Sequence, residues 1–97
     1  MAAALPRFRV DELGDLLVTR YDMRRGDTVP MHTHTPESEH ITIVALGAIS
    51  LKGPNLDKRL EAGEMFDYAA DQQTHEIVAV SDSAVVFNIP KKKAPTE

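Results

Sequence analysis

The chain has 97 residues, enough for one small domain and too few for a second. Hydrophobic residues make up 42% of it, which allows a core, but one thin enough that a bound metal or a second subunit would add useful stability. A net charge of −4 with no basic face interleaved with aromatics gives no argument for a nucleic-acid partner, and none is expected; the absence of cysteine excludes disulfides and thiolate metal ligands.

The first residues, 1–9, lack the apolar run of a signal peptide, and no window approaches the length of a membrane span. A cytoplasmic location without a membrane partner is therefore expected. The first strand is expected over Leu16–Met23, ending at the turn residues Arg24-Arg25-Gly26-Asp27. Only Val10 to Leu16 has the makings of a helical turn, and Gly14 weakens it. Thr28 to His34 reads as extended, because Pro30 biases Val29 toward the β region.

A polar loop, Thr35-Pro36-Glu37-Ser38-Glu39, leads into His40-Ile-Thr-Ile-Val-Ala-Leu46, which is rich in β-branched residues and reads as a central strand. Gly47 breaks that run. Ile49–Lys52 returns as a hairpin partner, and Gly53-Pro54-Asn55 makes the next turn. Short strands follow at Arg59–Glu61 and Met65–Tyr68, then a loop over Ala69–Gln73. The last strands run over Thr74–Val80 and Ala84–Ile89. Lys91-Lys92-Lys93 and the residues after it read as a solvated tail. Closely spaced short strands predict an all-β fold, with a jelly-roll barrel the natural choice because its mouth has room for a metal.

All four histidines fall where such a barrel can gather them. His32 and His34, two apart on an extended segment, share one face. His40 opens the strand after the loop, and His75 opens a later strand that joins them only if it lies alongside in the barrel. Neutral imidazole is the commonest metal ligand among side chains, and an imidazole set suits a divalent transition metal (Fe, Ni, Zn, Cu, Co or Mn) rather than calcium or magnesium.

The histidine stretch resembles the first motif of the cupin superfamily. Gly26, five residues and His32-Thr-His34 match its opening, and Gly47 closes it. Six residues back from Gly47 stands His40, where the family most often has glutamate. The second motif is matched by Gly63 and by His75 with the residues after it, although Ala70 and Gln72 replace the proline and glycine of its turn. The resemblance implies a cupin-type jelly-roll barrel (a double-stranded β-helix), with a core over about residues 16–89 and a tail over 90–97. It implies one divalent transition metal per chain, held by His32, His34, His40 and His75. Glu39 or Glu37 remains open as a replacement for His40. With a neutral fourth ligand the ion keeps its full charge, which favours an anionic substrate or hydroxide at an open position.

If His75 faces inward, Ile77 and Ala79 do too, and if His40 does, so do Thr42, Val44 and Leu46. The pocket is then expected to be mainly apolar. Tyr21, Met23, Phe66, Tyr68 and Phe87 are expected in the barrel core, with the pocket wall as the alternative. Ile41, Ile43 and Ala45 make the opposite face of the His40 strand apolar as well, which predicts cover by another sheet or a homodimer contact. No nucleophile elbow, phosphate loop or dinucleotide fingerprint is present, and no catalytic residue stands out. The expected function is a metal-dependent enzyme on a small molecule, of dioxygenase or isomerase type. The alternative is a non-catalytic metal or small-ligand binding or sensing module.

Overall fold

The structure is a computed structural model that describes residues 5–34 and 40–90. Among these residues it is almost entirely β-strand: β1 (Arg7–Leu13), β2 (Leu16–Arg24), β3 (Thr28–Thr33), β4 (His40–Leu46), β5 (Ala48–Gly53), β6 (Leu56–Glu61), β7 (Met65–Asp67), β8 (Thr74–Ala79) and β9 (Ser83–Pro90). A 3₁₀ turn, Ala70–Gln72, lies in the loop before β8. No helix among the described residues is long and apolar enough to cross a membrane.

Two antiparallel sheets face each other. One has the order β1-β2-β9-β4-β7 and the other β3-β8-β5-β6. The expected all-β jelly-roll is thus the fold observed. The strands are set by alternation. In β8 every second residue, His75, Ile77 and Ala79, is buried. These face Thr42 and Val44 of β4 and Val86 and Asn88 of β9, which are also buried. Ile49 and Leu51 of β5 and Leu60 of β6 complete the second sheet's contribution to the core.

The interior changes character along the barrel. At one end, Met23, Ala84, Val86, Val44, Ile49 and Ala79 form an apolar plug. Register then pairs Thr42 with Asn88. One step further, at the start of β4 and β8 and the end of β3, lie His40, His75 and His32. The site therefore rests on a polar layer supported by a dry core.

Four expectations need correction. Val10 to Leu16 holds no helical turn. It is the end of β1, which pairs with β2 from Arg7↔Asp22 to Leu13↔Leu16. The chain reverses at Gly14-Asp15, with Gly14 at φ 63°, the pattern of a type II′ hairpin. The alternation of Arg7, Arg9 and Asp11 with Phe8 and Val10 carried that strand signal, so the sheet begins at Arg7, although β1 is mostly exposed and the first buried core residue is Val18. Leu46 does not follow Thr42 and Val44 inward. The register shifts between Val44 and Leu46, which places Leu46 opposite Val85 and leaves it 52% exposed. A bulge of one residue turns every later side chain to the other face. Phe87 faces outward, paired with Ile43 beneath the guanidinium of Arg20. Finally, the pocket wall is more polar than expected, because Thr42, Asn88 and Tyr68 all lie in the interior.

Candidate metal centre

Register brings His32 and His75 together: they are directly paired across β3 and β8, with Thr33 paired to Thr74. The Thr33 and Thr74 hydroxyls bond each other at 2.8 Å and pin the same rung. His34 lies just past β3, where its backbone N–H donates to the Gln73 carbonyl at 3.0 Å. The loop before β8 is fastened in turn: Asn55 Nδ2 donates to the Asp71 carbonyl, and Gln72 Nε2 to the Asn55 carbonyl. These bonds fix where β8 starts, and so where His75 stands.

Each of two imidazoles is oriented by a backbone carbonyl. His32 Nδ1 lies 2.7 Å from the Pro30 carbonyl, and His75 Nδ1 lies 2.9 Å from the Gln72 carbonyl. A carbonyl only accepts, so both Nδ1 atoms carry the proton. In the neutral rings both Nε2 atoms then present a lone pair. His32 Nε2 is 2.8 Å from His34 Nε2. The ligand atoms of His32, His34 and His75 all lie within 4.8 Å of one another.

An imidazole nitrogen binds zinc at about 2.0–2.1 Å, so two ligands of one ion are at most about 4.2 Å apart. The His32–His34 contact is already near the spacing of neighbouring ligands. The widest pair, at up to 4.8 Å, must close by at least about half an ångström on the same arithmetic. The strongest sign of fit is His75. It has no solvent exposure, and its Nε2 makes no hydrogen bond among the described residues. A buried acceptor without a partner is unfavourable by about 1–3 kcal/mol, and a cation at the cluster would satisfy it.

His40 lies on the same inner face as Thr42 and Val44 and is half-buried. Its ring is 4.0 Å from that of His34, edge to face, and 6.2 Å from that of His75. It borders the three-histidine cluster, which does not include it. Glu37 and Glu39, the alternatives to His40, lie outside the described residues.

Burial pushes the His75 pKa down from 6.5 to about 4, and the neighbouring His32 and His34 add to this, while its hydrogen bond to the Gln72 carbonyl opposes it. Burial also pushes Tyr68 up to about 12, against a lowering by its bond to Thr42, and it raises Tyr21, against a lowering by Asn88.

Asn88 and Gln73 were not legible as neighbours of the site, whereas Thr42 was expected to face inward with His40 and Tyr68 had the pocket wall as its alternative. Tyr68 was expected in the core, and it is there, 2% exposed, but it also lies flat on His75 with ring centroids 3.9 Å apart and planes within 3°. Gln73 is buried, and its Nε2 donates to the carbonyls of Tyr68 and Ala69, both at 3.2 Å. For Thr42 the inward alternation was the available signal. For Asn88 there was none beyond its place in an apolar strand.

No family model and no curated protein matches the chain. Solved structures do. A cupin domain from Bordetella pertussis Tohama I is 18% identical, with a TM-score of 0.74 over 96% of this chain and 99% of that one. KdgF from a Halomonas species is 22% identical, with a TM-score of 0.70 over 89% and 79%. A cupin-superfamily sugar phosphate isomerase from Silicibacter pomeroyi is 18% identical, with a TM-score of 0.68 over 84% and 53%. At these identities the likeness is one of fold. Together with the two facing sheets and the histidines at one end of the barrel, it identifies the chain as a small protein of the cupin fold.

Proposed function

We propose that the chain is a metal-dependent enzyme that holds one divalent transition metal through His32, His34, His40 and His75 and acts on a small molecule. The observation that carries this reading is the convergence of His32, His34 and His75, two of them with Nδ1 tied to backbone carbonyls and Nε2 turned to the cluster. His40 joins as the fourth ligand because its ring, on the inner face of β4, borders that of His34. When bound, the ion supplies Lewis-acid polarisation of a substrate oxygen or, if iron, redox chemistry with dioxygen. The chain's own part is to keep His75 neutral by burial and to exclude water behind it with the apolar plug. Isomerase chemistry draws support from the sugar phosphate isomerase of the same fold, although one barrel serves many chemistries.

The test is elemental analysis of protein prepared without chelators and then reconstituted. About one equivalent of a transition metal supports the reading. Less than roughly a tenth of an equivalent of each of iron, nickel, zinc, copper, cobalt and manganese overturns it, since a site of this type binds stoichiometrically.

The chain is further proposed to form a homodimer through the outer face of the five-stranded sheet. There Ile41 and Ile43 are half-buried and Ala45 is exposed. Register sets Ile41 beside Ile89 and Ile43 beside Phe87 and the exposed Met65, which widens the apolar face. A two-fold contact would bury the same patch on each copy.

A further inference from the structure

We propose that Tyr68 is a positioning residue for the metal centre, a strut that sets the plane of His75 and is itself held by Thr42 and Asn88. The inference rests on the metal-binding reading above and concerns a residue outside the ligand set.

The hydrogen bond from His75 Nδ1 to the Gln72 carbonyl selects the Nδ1–H tautomer as long as the ring keeps the plane that aims Nδ1 at that carbonyl. The bond by itself does not hold that plane. Tyr68 does. Its ring covers one face of the imidazole, nearly parallel, at a centroid distance of 3.9 Å. The same ring stands edge-on to His40 at 5.9 Å, so it touches the surroundings of two imidazoles at once.

Simple packing would be served by phenylalanine. The hydroxyl adds direction. Thr42 Oγ1 donates its one proton to Asn88 Oδ1 at 2.9 Å, so the contact between Tyr68 and Thr42 at 2.7 Å has the phenol as donor. The Asn88 side chain is engaged in turn with Tyr21. Thr42 and Asn88 are paired on neighbouring strands β4 and β9 of one sheet, whereas His75 is on β8 of the other. Tyr68 therefore carries the position of one sheet across the interior to a ligand of the opposite sheet. Metal coordination draws electron density from the imidazole, and an electron-poor ring gains more from an aromatic face. The stack thus favours the loaded state over the empty one, and groups that support a ligand commonly change metal affinity ten- to a hundredfold, by order of magnitude.

The experiment compares wild type with Tyr68→Leu, Tyr68→Phe and Leu60→Ala. Leu60 is 1% exposed and belongs to the core cluster, so its truncation reports fold loosening alone. Two readouts are used. In metal-free protein, nitrogen NMR of the histidine side chains reports the His75 tautomer. In loaded protein, zinc affinity comes from chelator competition, and the Cu²⁺ electron paramagnetic resonance spectrum reports the ligand field. The expected result is a single Nδ1–H tautomer in wild type and a tautomer mixture in Tyr68→Leu. Zinc affinity should fall about ten- to a hundredfold in Tyr68→Leu, with an altered copper spectrum. Tyr68→Phe should restore most of the affinity, and Leu60→Ala should leave both readouts at wild-type values.

An unchanged tautomer in Tyr68→Leu overturns the strut, whether or not metal binds. So does an equal affinity loss in Leu60→Ala. A wild-type chain that keeps one His75 tautomer through Tyr68 yet takes up no metal leaves the strut standing and overturns the metal reading instead.

Discussion

His32 Nε2 and His34 Nε2 approach each other to 2.8 Å at the end of β3. Since the Pro30 carbonyl holds the His32 proton on Nδ1, the metal-free contact has His34 donating to the His32 lone pair. A cation entering there requires the His34 proton to leave Nε2, after which both nitrogens face the same point. The pair is thus arranged for a shared ion and occupied by one proton in its absence.

From this follows a ranking of ligand variants. His32→Ala, His34→Ala and His75→Ala should each lower metal affinity by more than the roughly hundredfold typical of changes to groups that merely support a ligand. His40→Ala should do the same if it is the fourth ligand. Isothermal titration with zinc measures all four. An unchanged affinity for His40→Ala would transfer the fourth position to Glu39 or Glu37.

Acid should act on the metal-free fold through His75. Its pKa is lowered from 6.5 to about 4 by burial and by His32 and His34 nearby. Between those values the unfolded chain binds this proton and the folded chain does not, so stability falls as pH is lowered through that window. The contribution is fully present above about pH 6.5 and gone by about pH 4, on the order of 3 kcal/mol in all. Urea denaturation of wild type and His75→Phe across that range checks it, with the variant expected to show the shallower slope. In loaded protein, metal should be released over the same acid range, and an occupancy flat down to about pH 4 would contradict a histidine-built site.

Gly47 and Gly63 offer a controlled comparison. Both have left-handed backbones, φ 76° and φ 91°. A Cβ on Gly47 would run into the Ser83 carbonyl and the Ser81 hydroxyl, whereas one on Gly63 meets nothing within 4 Å. Gly63→Ala should therefore be less stable by about 1–2 kcal/mol, the left-handed penalty alone. Gly47→Ala should exceed that clearly, since backbone must move as well. Chemical denaturation of the two variants measures the difference.

Removing the Thr42 hydroxyl should expose how tightly the interior polar chain is coupled. Thr42→Val leaves the Tyr68 hydroxyl and Asn88 Oδ1 without their shared partner, and each unsatisfied buried group is unfavourable by about 1–3 kcal/mol. The double variant Thr42→Val with Tyr68→Phe should be more stable than the sum of the single losses implies, because one orphan is removed along with its partner. Strict additivity in thermal denaturation would show the groups to be independent.

Association should be visible at micromolar concentration. Light scattering is expected to give about twice the 10.7 kDa chain mass, and Ile43→Lys is expected to reduce it to the monomer. The β1–β2 hairpin also exposes Phe8 and Val10. A dimer that survives Ile43→Lys but not Phe8→Lys would move the contact to that hairpin, and a wild-type monomer would refute the dimer.

Local pattern alone determined a good deal. Alternation in Thr74–Ala79 put His75, Ile77 and Ala79 on one face, and all three are buried together. The β-branched run from His40 fixed β4, and two-residue spacing set His32 and His34 toward the same space, where their nitrogens meet. These features depend only on the period of an extended chain, which neighbouring residues enforce by themselves. The partnership of His32 with His75 was not local. It required β3 and β8 to pair in one register, a choice made by hydrogen bonds between strands more than forty residues apart in sequence. The bulge that turned Leu46 outward and the seating of Tyr68 on His75 were decided at the same level. Periodicity assigns each side chain a face, but only the packing of two sheets decides what that face meets.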